Sequence, residues 1–256
     1  MKTLSKQLIV LLAVLLTCSC ARAQAVKVAA AADLKFAMAE LAAQFETQSG
    51  AKLDVTYGSS GNFLTQLQNG APFDLFFSAD SGYPKKLEEA GLAEPGTLRE
   101  YAVGHIVIWT PSDSQINVAK DGWKSLLDPR VKKIAIANPE HAPYGRAALA
   151  ALKQAGMYEQ VKDKLVYGEN ISQTAEFVQS GNAQVGIVAL SLATSPAMKN
   201  GNRWEIPADS YPPIKQEVVL LKASKNKEAA RRFLEFVNGS QGREILQRFG
   251  FTVPTP

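Results

Sequence analysis

Cysteine is almost missing: the only two in 256 residues, Cys18 and Cys20, fall within the first twenty positions. Beyond them there is no disulfide to form, no thiol ligand and no thiol nucleophile. Histidine is as scarce, with His105 in an apolar run and His141 between Pro139 and Pro143. Two separated histidines without cysteine make a poor zinc set, and a serine nucleophile has few bases to draw on. No Gly-x-Ser-x-Gly elbow occurs, and neither a phosphate loop nor a dinucleotide fingerprint follows a strand. Charge of one sign is lacking too. Lys2, Lys6 and Arg22 account for most of the formal +4, and without residues 1–23 the chain carries +1. With no basic stripe and only 8% aromatics, nucleic acid is excluded as an expected partner, as is a membrane surface.

Long apolar runs are confined to the start. Lys2 and Lys6 precede the unbroken stretch Leu8 to Leu16, and Ala21-Arg22-Ala23 forms a small-x-small site before Gln24. Residues 1–23 therefore read as a cleavable signal peptide, and nothing later approaches the ~18 apolar residues of a membrane span. Lipid attachment at Cys18 or Cys20 is the alternative, although Leu16-Thr17 and Cys18-Ser19 are poor contexts for it. The remaining residues, about 230, suffice for one large core or two modest ones.

What is present is alternation of strand and helix. Val26-Lys27-Val28 runs through four alanines to Asp33, and Leu34, Met38, Leu41, Ala42 and Phe45 then recur at helical spacing to Gly50. Leu53 to Tyr57 reads as a strand that breaks at Gly58-Ser59-Ser60-Gly61-Asn62 before a helix carrying Phe63, Leu64 and Leu67. Asp74 to Phe77 gives a third strand, with a helix over 85–90. The run from Tyr101 to Pro111 predicts a crossover into a second lobe. There the alternation repeats: strand 133–137, helix 146–154, strand 165–167, helix 172–179 and strand 184–189. Glu217 to Leu221 is the expected return crossover, and helices over 227–238 and 241–249 pack back on the first lobe through Phe233, Leu234, Val237, Ile245, Leu246 and Phe249. The expected class is α/β: two lobes of mixed, mostly parallel sheet flanked by helices, with two crossover strands as the hinge. Lobe I takes residues 24–103 and 217–256, and lobe II takes 104–216.

Four strand-to-helix turns stand out: Ala31 to Leu34, Gly58 to Gly61, Ala142 to Gly145, and Glu169 to Ser172. Each leaves the first N–H groups of a helix unpaired at the carboxyl edge of a sheet, and two belong to each lobe. Together they predict an anion cradle built without a cation.

At these turns the chain resembles the periplasmic molybdate-binding proteins of ABC importers. The likeness is carried by Ala29 to Leu34, Tyr57 to Asn62, Gly70 to Asp80 with its Ser-Ala-Asp ending, Asn138-Pro139-Glu140-His141-Ala142-Pro143, Gly186-Ile187-Val188 and Phe249-Gly250-Phe251. The resemblance implies the periplasmic-binding-protein fold, closing on one tetrahedral oxoanion, molybdate or tungstate, through neutral donors, with no enzyme activity. It implies no cofactor, a monomer in the periplasm, and a membrane permease as partner. Its ligand contacts fall on Ala32, Asp33, Ser60, Tyr144 and Ile171, none of which would ligate the metal centre directly. Two departures follow. Ala32-Asp33 stands where many members have a hydroxyl, so Asp33 is expected to offer its N–H and fold its carboxylate back as a cap toward Lys35 or Phe36. Ala189 stands where many have a ligand tyrosine, so the Tyr144 phenol is expected to supply that donor. The alternatives are another oxoanion such as sulfate, an exported α/β hydrolase, and a receptor or regulatory module that uses lobe closure as a signal.

Overall fold

The computed structural model describes residues 25–254; the proposed signal peptide and both cysteines lie outside the described residues. Ten strands form two five-stranded sheets. The first has the order β2-β1-β3-β10-β4, with β1 Val26–Ala31, β2 Leu53–Gly58, β3 Leu75–Ser78, β4 Arg99–Gly104 and β10 Ile214–Leu220. The second has the order β7-β6-β8-β5-β9, with β5 Ile106–Thr110, β6 Ile134–Ala137, β7 Leu165–Gly168, β8 Val185–Ala189 and β9 Asn202–Glu205. In each sheet three strands pair in parallel, and two antiparallel strands complete it.

The helices are α1 Lys35–Ser49, α2 Ser60–Gln68, α3 Gly82–Glu89, α4 Val118–Asp121, α5 Pro143–Gln154, α6 Tyr158–Val161, α7 Ile171–Gln179, α8 Leu190–Ala193, α9 Lys227–Asn238 and α10 Ser240–Arg248. Local chemistry sets the ends that matter for the cleft. Helix α1 stops where Gly50 takes φ 70°, a left-handed turn that costs glycine little. Pro143, with its fixed φ and missing N–H, suits the first turn of α5.

Both faces of the first sheet are covered, as the apolar strand sequences require. On one side Phe45, Phe77, Phe233 and Phe236 interlock, with ring centroids 5.0 to 6.4 Å apart, under α1, α9 and α10. On the other, Phe63, Leu64, Leu67 and Leu87 of α2 and α3 pack on Phe76 and Val219. A third cluster fills the second sheet and reaches Ala31, Ala32 and Ala79 of the first.

Three differences from the sequence reading have physical causes. The crossover expected in the run from Tyr101 to Pro111 is present, but as two strands in different sheets rather than one, broken at His105, whose Nε2 lies 2.8 Å from Thr252 Oγ1. The strand expected from Glu217 starts at Ile214 and lies wholly in the first sheet, between β3 and β4. The return therefore runs through the proline-rich 206–213, which no apolar periodicity marks. Strand β9 was not read at all, because Asn-Arg-Trp-Glu is polar and sits on the sheet edge beside β5.

Candidate functional site

The four turns converge. Ala31, Ala32, Asp33, Gly58, Ser59, Ser60, Ala142, Pro143, Tyr144, Asn170 and Ile171, with Ala79, line one cavity between the lobes. Its free volume is about 10 Å³, close to the room one water molecule needs. Lysine, arginine and histidine are absent from this lining. Ala32, Asp33, Ser60, Tyr144 and Ile171 are each at most 4% exposed.

Each turn presents helix N-terminal N–H groups for which the helix has no acceptor. Ser59 is the N-cap of α2, its Oγ accepting from Asn62 N at 3.4 Å, which leaves Ser60 as the first helical residue. Ser60 Oγ accepts from Ala79 N at 3.0 Å, and this fixes the oxygen while leaving its O–H proton free to donate. Asn170 caps α7 through Gln173 N at 3.0 Å, placing Ile171 at the first helical position. At the first turn, hydroxyls of the second lobe take the carbonyls: Ser172 Oγ donates to Ala32 O at 3.0 Å and Ser191 Oγ to Asp33 O at 2.8 Å.

The Asp33 side chain does not cap α1. Leu34 holds the N-cap position, no side chain caps it, and the carboxylate turns toward the hinge instead. Asp33 Oδ2 accepts from Gln216 Nε2 at 2.7 Å and from Tyr144 Oη at 2.9 Å, while Oδ1 has no partner. Two donors on a buried oxygen outweigh the local cap, because an unpaired buried carboxylate oxygen is costly. Burial raises the Asp33 pKa to about 6 against the lowering effect of Gln216, Tyr144 and the nearby N–H groups of Asp33 and Leu34. The Tyr144 phenol, expected to point at the anion, spends its one proton on Asp33. Its own pKa lies well above the usual value, through burial and then the Asp33 charge.

The phenol crosses from α5 into a slot of the first lobe that only a missing side chain leaves open. A Cβ on Gly104 would lie 2.1 Å from Tyr144 Oη and 2.8 Å from Gln216 Nε2. A β-bulge completes the slot. Gln216 and Glu217 pair with Ala102 and Glu100, so Tyr101 is the extra residue on β4, and its hydroxyl donates to Gln216 Oε1 at 2.6 Å.

His141 bridges the lobes. Its Nδ1 lies 3.0 Å from Ser59 Oγ and its Nε2 3.0 Å from Glu169 Oε2, while its carbonyl accepts from Gly61 N at 3.0 Å. Ser59 serves as a helix cap here, and the carboxylate partner is mostly exposed. Across the opposite lip, Arg146 binds Asp80 and the Tyr83 hydroxyl. Sequence reasoning missed Gln216, Tyr101, Ser172 and Ser191. A glutamine inside the apolar strand Ile214 to Leu220 was the one visible signal.

A two-lobed α/β clamp whose helix N-termini meet in a cation-free cavity is the architecture of a solute receptor. The chain belongs to the bacterial extracellular solute-binding proteins, whose family model matches residues 26–252. It is 38% identical over 250 residues to the Molybdate-binding protein ModA of Azotobacter vinelandii, covering 97% of this chain and 98% of that protein. It is 39% identical over 223 residues to ModA of Rhodobacter capsulatus, covering 87% and 86%. The solved Azotobacter vinelandii periplasmic molybdate-binding protein superposes with a TM-score of 0.84 at 33% identity, covering 90% of this chain and all of that one. The sulfate-binding protein SubI of Mycobacterium tuberculosis, at 16% identity and a TM-score of 0.73, shares the fold.

Proposed function

We propose that this chain is a periplasmic receptor that captures molybdate or tungstate between its lobes and delivers it to an ABC importer, without catalysing a reaction. The observation that carries the proposal is the meeting of four strand-to-helix turns, two from each lobe, at one buried cavity with no lysine, arginine or histidine in its lining. Its relatives carry the name of molybdate-binding proteins. In this reading the oxoanion takes N–H groups at Ala32, Asp33, Ser60, Tyr144 and Ile171 together with the Ser60 hydroxyl. Lobe I comprises 24–104 and 214–256 and lobe II 105–213, one to three residues from the bounds expected from the sequence because β4 ends at Gly104 and β10 starts at Ile214, and the protein acts as a monomer after removal of residues 1–23.

Titration calorimetry with molybdate, tungstate, sulfate and phosphate is the test. Molybdate and tungstate are expected to bind about a hundredfold or more tighter than sulfate or phosphate, a gap of about 2.7 kcal/mol. Sulfate binding as tightly as molybdate would move the chain to a different oxoanion, and turnover of an activated ester through Ser59 and His141 would favour the hydrolase reading.

A further inference from the structure

Asp33 is the one acidic residue lining the cavity, and its buried carboxyl, turned toward Gln216 and Tyr144, has no counter-ion. It is 1% exposed, Oδ2 is taken by Gln216 and Tyr144, and Oδ1 is buried with no partner. A dianion seated among the surrounding helix N-termini therefore meets a second negative charge within the same dry site. Two like charges so placed do not both persist: the cheaper state carries a proton between them.

We propose that capture of the oxoanion is coupled to uptake of one proton by the Asp33 carboxyl at Oδ1, an inference that rests on the oxoanion reading above. Oδ1 is the atom left to hold it, because Oδ2 already receives two donors. Once protonated, the carboxyl no longer sets a second negative charge beside the dianion. Gln216 and Tyr144 hold the carboxyl in place in both states. Tyr101 aligns the Gln216 amide toward it, its hydroxyl donating to Gln216 Oε1.

The titratable groups facing Asp33 are the phenols of Tyr144 on α5 and Tyr101 on β4, both raised well above their usual range and silent near neutrality. Of the elements packed on the turn, β2 contributes Tyr57, raised to about 12 by burial. Helix α7 contributes Glu176, which is exposed and pairs with Lys35 of α1, and α8 brings only the Ser191 hydroxyl. His141 lies elsewhere on the cleft, against Ser59 and Glu169. The closed cleft already raises the Asp33 pKa to about 6, and the dianion raises it further. The sign is then fixed: affinity is greatest in acid and weakens as pH rises past about 6.

Calorimetric titration of the full mature chain with molybdate, at pH 6, 7 and 8 and in buffers of different ionisation enthalpy, separates the possibilities. For the parent the Kd should rise at least about fivefold from pH 6 to 8, toward the tenfold per unit that one coupled proton gives, with net proton uptake at pH 7. Asp33→Asn keeps an oxygen for Gln216 and Tyr144, places an N–H₂ at the orphaned position, and leaves His141 in place. It should show no proton uptake from this source, a Kd changing less than about twofold over the same range, and tighter binding than the parent at pH 8. Parallel pH profiles for parent and Asp33→Asn would overturn the proton coupling at Asp33 while leaving the oxoanion reading intact. Absence of molybdate binding by both folded proteins would remove the oxoanion reading and this coupling with it.

Discussion

At Gly104 a single methyl group decides whether the lobes close. The Cβ of Gly104→Ala would sit 2.1 Å from Tyr144 Oη, and Gln216 blocks the adjacent space, so the phenol loses its seat. The expected outcome is an oxoanion Kd raised at least about tenfold with unchanged far-ultraviolet circular dichroism, because the residue ends a strand and its methyl meets only the tips of the Tyr144 and Gln216 side chains. Ser60→Ala removes a buried hydroxyl whose proton is free, a loss of ~1.5 to 3 kcal/mol toward a charged acceptor, hence roughly tenfold to a hundredfold in Kd by calorimetry. Ser59→Ala should affect binding less, since that hydroxyl caps α2 and meets His141. Asp33 also bears on stability. Its pKa is raised from 3.8 to about 6, so its contribution is fully present below pH 3.8 and is lost as pH rises through about 6. Asp33→Asn should therefore stabilise the protein to urea by as much as about 3 kcal/mol at pH 7 and by little near pH 4. Sequence reasoning brought Ala32, Asp33, Ser60, Tyr144 and Ile171 to one cavity, yet it misdirected two side chains. A local cap for Asp33 was legible from the next two residues. Its actual partner Gln216 is 183 positions away, and nothing in the spacing announces it.

Among the elements, regular helices and buried strands were legible and edges were not. Helix α9 lies over 227–238 as its apolar spacing requires, because Ala230, Phe233, Leu234 and Val237 share one buried face. Phe233 touches the rings of Phe45, Phe77 and Phe236, so Phe233→Ala should cost about 3 to 5 kcal/mol in urea unfolding while leaving the Kd of the folded protein nearly unchanged. A loss of affinity in that variant would show that α9 and α10 also brace the cleft. The β4 bulge lay beyond sequence reach, since an extra residue at Tyr101 leaves the apolar run uninterrupted and appears only in the pairing with β10. That bulge aims Tyr101 at Gln216 and so reaches the site through two hydrogen bonds.

For the whole molecule, the two-lobed α/β plan was legible because strand and helix alternate twice. The first passage between lobes, at His105, was legible as well, but the return was not, because it is irregular. Ser172, Ser191, Tyr144, Gly61 and Arg146 all make hydrogen bonds across the cleft, so the closed form is the one described here. X-ray scattering should report a smaller radius of gyration with molybdate than without, and an unchanged radius at saturation would count against a hinge. The order of the first sheet carries a consequence for how the chain acquires this form. The strands of the second sheet come from one unbroken stretch, 106–205, whereas β4 joins the first sheet only through β10, which begins 110 positions after β4 ends. A chain emerging amino end first can therefore complete the second lobe while β4 still waits for its neighbour, and loop closure over that span makes the first lobe the slower unit. Pulsed hydrogen exchange during refolding should protect amides of β6 and β8 before those of β4. The receptor would then gain its grip on the ligand in the last step of folding, when Gln216 arrives beside Asp33.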